Sequence, residues 1–421
     1  MNKLRQFFIV ISPGMLTAAT GVGAGDLATG SFAGSILGTA ILWAVIVGAF
    51  LKYVVTEGIA RWQLATGSTL LEGLTIHFGK IIALIFLPYL LMFTYFIGTA
   101  MMSANGVTLH AMFPIFDDAV TGKIFFGILI SIVGFGLVYK GGYELFEKIT
   151  HVCIAIMFIC VILTAALMWP GTELVFKGLF IPTIPDMTGE GLTWTIALIG
   201  GVGGTVTVLS YGYWIREEGR TTSDDLPTCQ IDLAVGYFMT ALFGISMVII
   251  GSNVTIQGGG AGLLINLSNQ LGQEIGPAGK WLFLIGAFGA VFSSLLGVWQ
   301  SIPYIFTDTW LMATMPASDI AERDHTFKVD TTSPIYRRYL MIIAFVPMLG
   351  LFTSFQQAQK LYAVTGAFFF PLLAIGLLLL NGRAKWIGEK FKYGPGAIIS
   401  LIAVLLFFAW AGITNIIKLL S

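Results

Sequence analysis

Hydrophobic residues run through this chain in long blocks, not in the alternations or stripes that build a water-soluble domain. Blocks able to cross a bilayer, about 20 residues each, lie near 8–36, 39–64, 81–113, 123–139, 149–169, 191–215, 231–254, 278–307, 337–354, 359–380 and 395–418. Polar residues gather in the short connections between them. The pattern predicts an all-α chain of eleven membrane spans with no soluble domain.

Two blocks break their own pattern. In span 1, Gly21, Gly23 and Gly25 alternate, and Asp26 follows directly. In span 6, Gly200, Gly201, Gly203 and Gly204 precede Thr205 and Thr207. Glycine loses the most freedom in a helix and tolerates non-helical angles, so both clusters predict an unwound stretch. In a membrane that is tolerated where the freed carbonyls line a polar cavity. The clusters lie five spans apart, and an odd offset turns the second upside down relative to the first. Paired interruptions of this kind point to a midplane binding site in a secondary transporter. Taken singly, the span 1 cluster also reads as a small-residue packing face and the span 6 cluster as chance among 51 glycines, an explanation that the pairing weakens.

Composition agrees with the blocks. Of 421 residues 56% are hydrophobic and only 10% charged, with a mean hydropathy of +0.87, which excludes a soluble domain of this length. Formal net charge is zero, with no basic run to suggest a nucleic-acid partner. The expected surroundings are the lipid bilayer, with no obligate protein partner. Cys153, Cys160 and Cys229 are too few for a disulfide framework and read as small buried residues. Lys3 and Arg5 precede an apolar run that resembles a signal peptide but continues into span 1 without a convincing cleavage site.

Basic residues predict the orientation. With the N-terminus cytoplasmic, sixteen of the 22 lysines and arginines fall inside, five fall outside, and Lys52 remains within span 2. The C-terminus then lies outside. We expect a multi-pass protein of the bacterial inner (cell) membrane.

A carboxylate near the bilayer centre costs roughly 2.5–3.5 kcal/mol even on insertion scales, so Asp26 reads as a site residue facing a cation. The alternative is an N-cap for the following helix. Lys52 poses the converse problem. A mid-bilayer ammonium needs a carboxylate or carbonyls; Asp26 is the acid at similar depth, and the residues leave open an Asp26–Lys52 pair, carbonyl contacts elsewhere, or snorkelling. Glu57 and Arg61 have the spacing of an ion pair one turn apart. The four histidines show no ligand spacing, and no nucleophile–base constellation suggests an enzyme.

Here the chain resembles the Nramp (natural resistance-associated macrophage protein) family of divalent-metal transporters. Where the family's span 1 carries Asp-Pro-Gly-Asn, an apolar residue, Ala and Thr, this chain reads Gly23-Ala24-Gly25-Asp26-Leu27-Ala28-Thr29. Where its span 6 carries Gly-Ala-Thr-Val-Met-Pro-His-Asn, this chain reads Gly203-Gly204-Thr205-Val206-Thr207-Val208-Leu209-Ser210. Lys140-Gly141-Gly142-Tyr143 with Glu147, Ile181-Pro182 and Ser293-Ser294 are similar too. The resemblance implies a single transmembrane transporter domain with a LeuT-type fold. That fold is an inverted repeat of five and five spans, about 8–169 and 191–380, plus an eleventh transmembrane helix at about 395–418.

The departures bear on the substrate. The family's aspartate is Gly23 here, its asparagine Asp26, its methionine Thr207 and its histidine Leu209. One carboxylate remains, three residues along, and the soft sulfur is absent. Oxygen ligands suit Mg²⁺, Ca²⁺ and Mn²⁺. The expected metal ligands are Asp26 and Thr207, with backbone carbonyls near Gly23 and Gly203 and with Ser210 beside them. The metal ion, of the Mg²⁺ or Mn²⁺ type, is substrate and not cofactor. A small organic or other non-metal substrate is the alternative. Ser293 and Ser294 read as a second ion site or a packing face. Family members similar to this chain place acids on span 3 and use the span 6 histidine for proton coupling. Span 3 here has no Asp or Glu, so the expectation is transport without that coupling.

Overall fold

The computed structural model describes residues 12–187, 190–253, 260, 262–316, 319–320 and 328–420. Lys3, Arg5 and Arg323, which enter the charge bias, lie outside the described residues. Span 1 forms α1 (Ser12–Val22) and α2 (Ala24–Leu37), and span 2 forms α3 (Leu42–Thr66). A short α4 (Leu70–Phe78) leads to α5 (Ile81–Met112), which is span 3, and to a helical run α6 (Ala119–Leu167) that holds spans 4 and 5. After α7 (Thr172–Phe180), span 6 is split into α8 (Glu190–Gly201) and α9 (Ser210–Glu217). The chain continues through α10 (Leu226–Ser252), α11 (Leu263–Ile275), α12 (Pro277–Thr314) and α13 (Pro334–Phe345). It closes with α14 (Phe355–Ala367), α15 (Phe369–Asn381), α16 (Ala384–Ile387) and α17 (Pro395–Leu420).

Among the described residues nine helical stretches are long and apolar enough to cross a membrane. One of them, Asp26–Thr66, takes in the end of the first predicted block and all of the second, and the shorter apolar helix Pro395–Trp410 within α17 falls on the eleventh. The reversal within Asp26–Thr66 occurs at Gly38, whose φ of 65° suits glycine and opens a short 3₁₀ turn, Gly38–Ile41. Gly30 and Val45, on either side of that turn, both pack at Gly244 of α10. A straight helix would hold them about 22 Å apart.

The same argument shows that α6 folds back on itself. Gly134 packs against Leu295 and Leu296, whereas Cys153 packs at Gly289 of the same helix, α12. Nineteen residues of straight helix span about 28 Å, but the six between Gly289 and Leu295 span about 9 Å. The chain therefore reverses between Gly134 and Cys153, where the sequence places Lys140-Gly141-Gly142-Tyr143.

Span 9 also departs from one continuous helix. After α13 it tightens into a 3₁₀ stretch, Val346–Phe352, containing Pro347. Hydroxyls on neighbouring helices meet the carbonyls there. Ser131 donates to Ala344 at 2.7 Å and Thr99 to Pro347 at 3.0 Å. Span 6 is the centre of the assembly; its most apolar window is 94% buried.

Candidate functional site

Both glycine clusters interrupt their helices, to different extents. In span 1 the break is Gly23 alone, with φ −80° and ψ −107° between α1 and α2. In span 6 it covers residues 202–205, where Gly203 (φ 73°) and Gly204 (φ 91°) take left-handed angles, before a 3₁₀ turn Val206–Leu209. The two breaks face each other at close range. A Cβ on Gly21 would lie 2.2 Å from the Gly203 carbonyl carbon and 2.3 Å from the Gly204 nitrogen. Only glycine allows that approach.

Asp26 lies in the first turn of α2 and is fully buried. It does not cap its own helix, whose N-cap is Gly23 with no side-chain bond. Its Oδ2 instead accepts the Gly203 N–H across the gap at 3.2 Å, and Oδ1 has no hydrogen-bond partner. A buried orphan carboxylate oxygen is unusual enough to require a role.

Lys52 reaches the same place from α3. Its ammonium donates to the carbonyls of Gly200 and Val202, both at 2.8 Å, and to that of Gly204. Those carbonyls end α8 and line its unwound exit, where the helix dipole favours a cation. The ammonium also stands 4.1 Å from the centre of the Phe370 ring. No Lys52–Asp26 ion pair within 4.0 Å forms among the described residues, and Asp26 takes the Gly203 N–H instead. Of the alternatives the sequence left open, Lys52 takes the carbonyls. The carbonyls expected near Gly203 as ligands thus include a set turned toward an internal cation.

Thr207 is buried beside the gap, its Oγ1 2.7 Å from where a Cβ on Gly204 would stand. Ser210, at the start of α9, is buried with its hydroxyl unpartnered. The structure gives no direct bond between Asp26 and Thr207. Ser293 donates to Ala290 of its own helix at 3.0 Å, whereas Ser294 donates to the Thr20 carbonyl in α1. Gly23 fits against Ser294, whose Cβ would lie 2.1 Å from a Cβ at position 23. No cluster of three or more His, Cys, Asp or Glu side chains suited to a metal occurs among the described residues.

A second polar group, which the sequence reading missed, ties the start of span 1 to span 6. Asp232 of α10 is buried and accepts from the Gly14 N–H at 2.7 Å, from Tyr211 at 2.9 Å and from Arg220 at 3.0 Å. It thereby joins the start of α1, helix α9 and the segment after α9. Helix α9 is held further by Tyr213 on Asp308 at 2.7 Å, Trp214 on Gln300 at 2.9 Å, and Gln63 on the Gly212 carbonyl at 2.5 Å. An aspartate at the second position of the apolar block 231–254 was the available signal. The predicted Glu57–Arg61 pair is present, and Gln230 adds a bond to Glu57 at 2.8 Å.

Comparisons agree with this architecture. The sequence profile of the family described as "Natural resistance-associated macrophage protein-like" matches residues 14–418. An uncharacterized protein of Pasteurella multocida (strain Pm70) is 23% identical over 300 residues, 69% of this chain and 68% of the relative. Among solved structures, a manganese transporter of Eremococcus coleocola superposes with a TM-score of 0.72 at 16% identity, covering 97% of this chain and 86% of that one. MhsT in complex with L-phenylalanine gives 0.62 at 14% identity, with 97% and 98% covered. At these identities the likeness speaks to the fold alone, an all-α arrangement shared with both solved structures.

Proposed function

The chain belongs to the natural resistance-associated macrophage protein-like family, and from that premise we propose that it is a secondary transporter for a divalent metal cation of the Mg²⁺ or Mn²⁺ type. The observation that carries this reading is the unpartnered Oδ1 of Asp26, buried between two interrupted helices. We assign Thr207, whose hydroxyl packs at Gly204, and Ser210, whose hydroxyl is unpartnered, as the further oxygen donors, and no thioether stands at these positions. An oxygen set with one carboxylate suits an ion that keeps several waters, as Mg²⁺ does. The Eremococcus coleocola neighbour is described as a manganese transporter, which supports the class of substrate.

The proposal extends to coupling. Span 3, Ile81–Met112, contains no acid, and Leu209 stands in span 6 where the family's histidine is expected. If Asp26 stays ionised to hold the metal, it does not carry a proton on the same step. Metal flux then runs down its own gradient. The domain reading is of the same kind: repeats of about 8–169 and 191–380, an extra span at about 395–418, and a cytoplasmic N-terminus.

Proteoliposomes holding a metal-sensitive and a pH-sensitive dye test both parts. The expected result is Mn²⁺ or Mg²⁺ uptake that Asp26→Ala abolishes, with no acidification in step. Absence of uptake overturns the metal, and acidification lost with the same mutation overturns the coupling. One observation favours a second reading, a carrier of a small organic or other non-metal substrate. Lys52 offsets the Asp26 charge, which leaves the site nearly neutral.

A further inference from the structure

We infer that Lys52 is a tethered cation that occupies the carbonyl half of the Asp26 site and thereby sets which ions the site can hold. This rests on the reading of the gap between spans 1 and 6 as the substrate site. It adds a specificity-determining residue to it.

An ammonium has three N–H donors and no acceptor. All three are used on the carbonyls of Gly200, Val202 and Gly204, and the side chain is buried to 1% exposure. These carbonyls converge because Gly203 and Gly204 adopt left-handed angles, so the unwound backbone forms an oxygen cage instead of continuing the helix. Carbonyl cages at broken membrane helices hold cations. In this chain the cation is covalently attached, through α3. The Phe370 ring covers the ammonium and leaves no open side for solvent.

Two consequences follow from charge and geometry. The cage oxygens are spent on Lys52, so a metal reaching the gap finds Asp26 Oδ1, the Thr207 and Ser210 hydroxyls, and its own waters. The positive charge of Lys52 also opposes any divalent ion at Asp26. The site therefore holds a hydrated divalent ion loosely and does not dehydrate it. Removing the ammonium reverses both effects. It frees three carbonyls and leaves Asp26 without a counter-charge.

The experiment is metal binding to purified full-length protein by calorimetry and thermal shift, with Mn²⁺ and Mg²⁺ as the probes. Lys52→Met and Lys52→Gln remove the charge, and Lys52→Arg keeps it. The expected result is that K52M and K52Q bind Mn²⁺ on the order of tenfold to a hundredfold more tightly than the parent. K52R should not, and a second change of Asp26→Asn should cancel the gain. If K52M and K52Q fold only with millimolar metal present, the inference also holds, since a free cation then replaces the tethered one. Unchanged affinity in both variants overturns it. So does an equal gain in K52R, or failure of both variants to fold even with metal. A parent protein that carries no metal while K52M gains metal binding would refute the proposed function and leave this inference standing.

Discussion

Tyr211 and Asp232 sit on α9 and α10, and the Tyr211 hydroxyl donates to Asp232 Oδ2 at 2.9 Å in a fully buried setting. The same carboxylate receives the first turn of α1 through the Gly14 N–H and the Arg220 guanidinium. The half-helices of spans 1 and 6 that share this end are therefore fastened to one acid. Separating α1 from α9 here requires Asp232 to give up Gly14 or Tyr211.

Asp232→Asn tests the fastening. The amide keeps the shape but removes the anion beside a buried guanidinium, a change that costs on the order of 3–5 kcal/mol when a buried pair is broken. We expect a clearly lower thermal midpoint in detergent and easier labelling of a cysteine placed at Tyr213. An unchanged midpoint would show that the cluster contributes no stability.

Gly21→Ala tests the contact between the two breaks. The new methyl would meet backbone atoms of Gly203 and Gly204, which cannot swing aside as a side chain can. Overpacking of this kind costs about 1–3 kcal/mol. The expected outcome is a folded but less stable protein whose transport is lost, and normal transport would mean that the breaks separate during the cycle at no cost. Melting curves and vesicle uptake read the two effects separately.

Much of this was legible in the sequence. The hydrophobic blocks marked the spans, and the clustered glycines marked both interruptions, because helix length and glycine backbone freedom are local properties. The extent of each break was not local. Three glycines in five residues suggested a long unwound stretch in span 1, but only Gly23 leaves the helix, because α12 and the span 6 break hold the flanking residues in place. Nor could the partner of Lys52 be read. The carbonyls it takes lie about 150 residues away in sequence and converge only once Gly203 and Gly204 have turned. Asp232 was passed over for the same reason, since its partners are Gly14, Tyr211 and Arg220.

Thr207→Met tests whether span 6 contributes to the first coordination sphere. A thioether in place of a hydroxyl should raise Mn²⁺ or Cd²⁺ binding relative to Mg²⁺. An unaltered preference in competition binding would place Thr207 outside the metal's reach.

Ser294→Ala separates the two roles considered for span 8. If its hydroxyl is only a brace to the Thr20 carbonyl, the mutant loses about 0.5–1.5 kcal/mol of stability and its uptake in sodium and in choline matches the parent's. If Ser294 also serves a second ion, the mutant's uptake responds to replacement of sodium by choline differently from the parent's. Uptake measured with sodium or choline as the bulk cation distinguishes them.

The unequal breaks have a mechanical consequence. Span 1 is interrupted at one residue, so α1 and α2 meet at a pivot with two rotatable bonds, the φ and ψ of Gly23. The interruption of span 6 covers residues 202–205 and has two such bonds at each of its residues. A tilt of α1 thus pivots at Gly23, seated against Ser294, whereas turning α9 relative to α8 loads the three carbonyl bonds that Lys52 makes across the span 6 break.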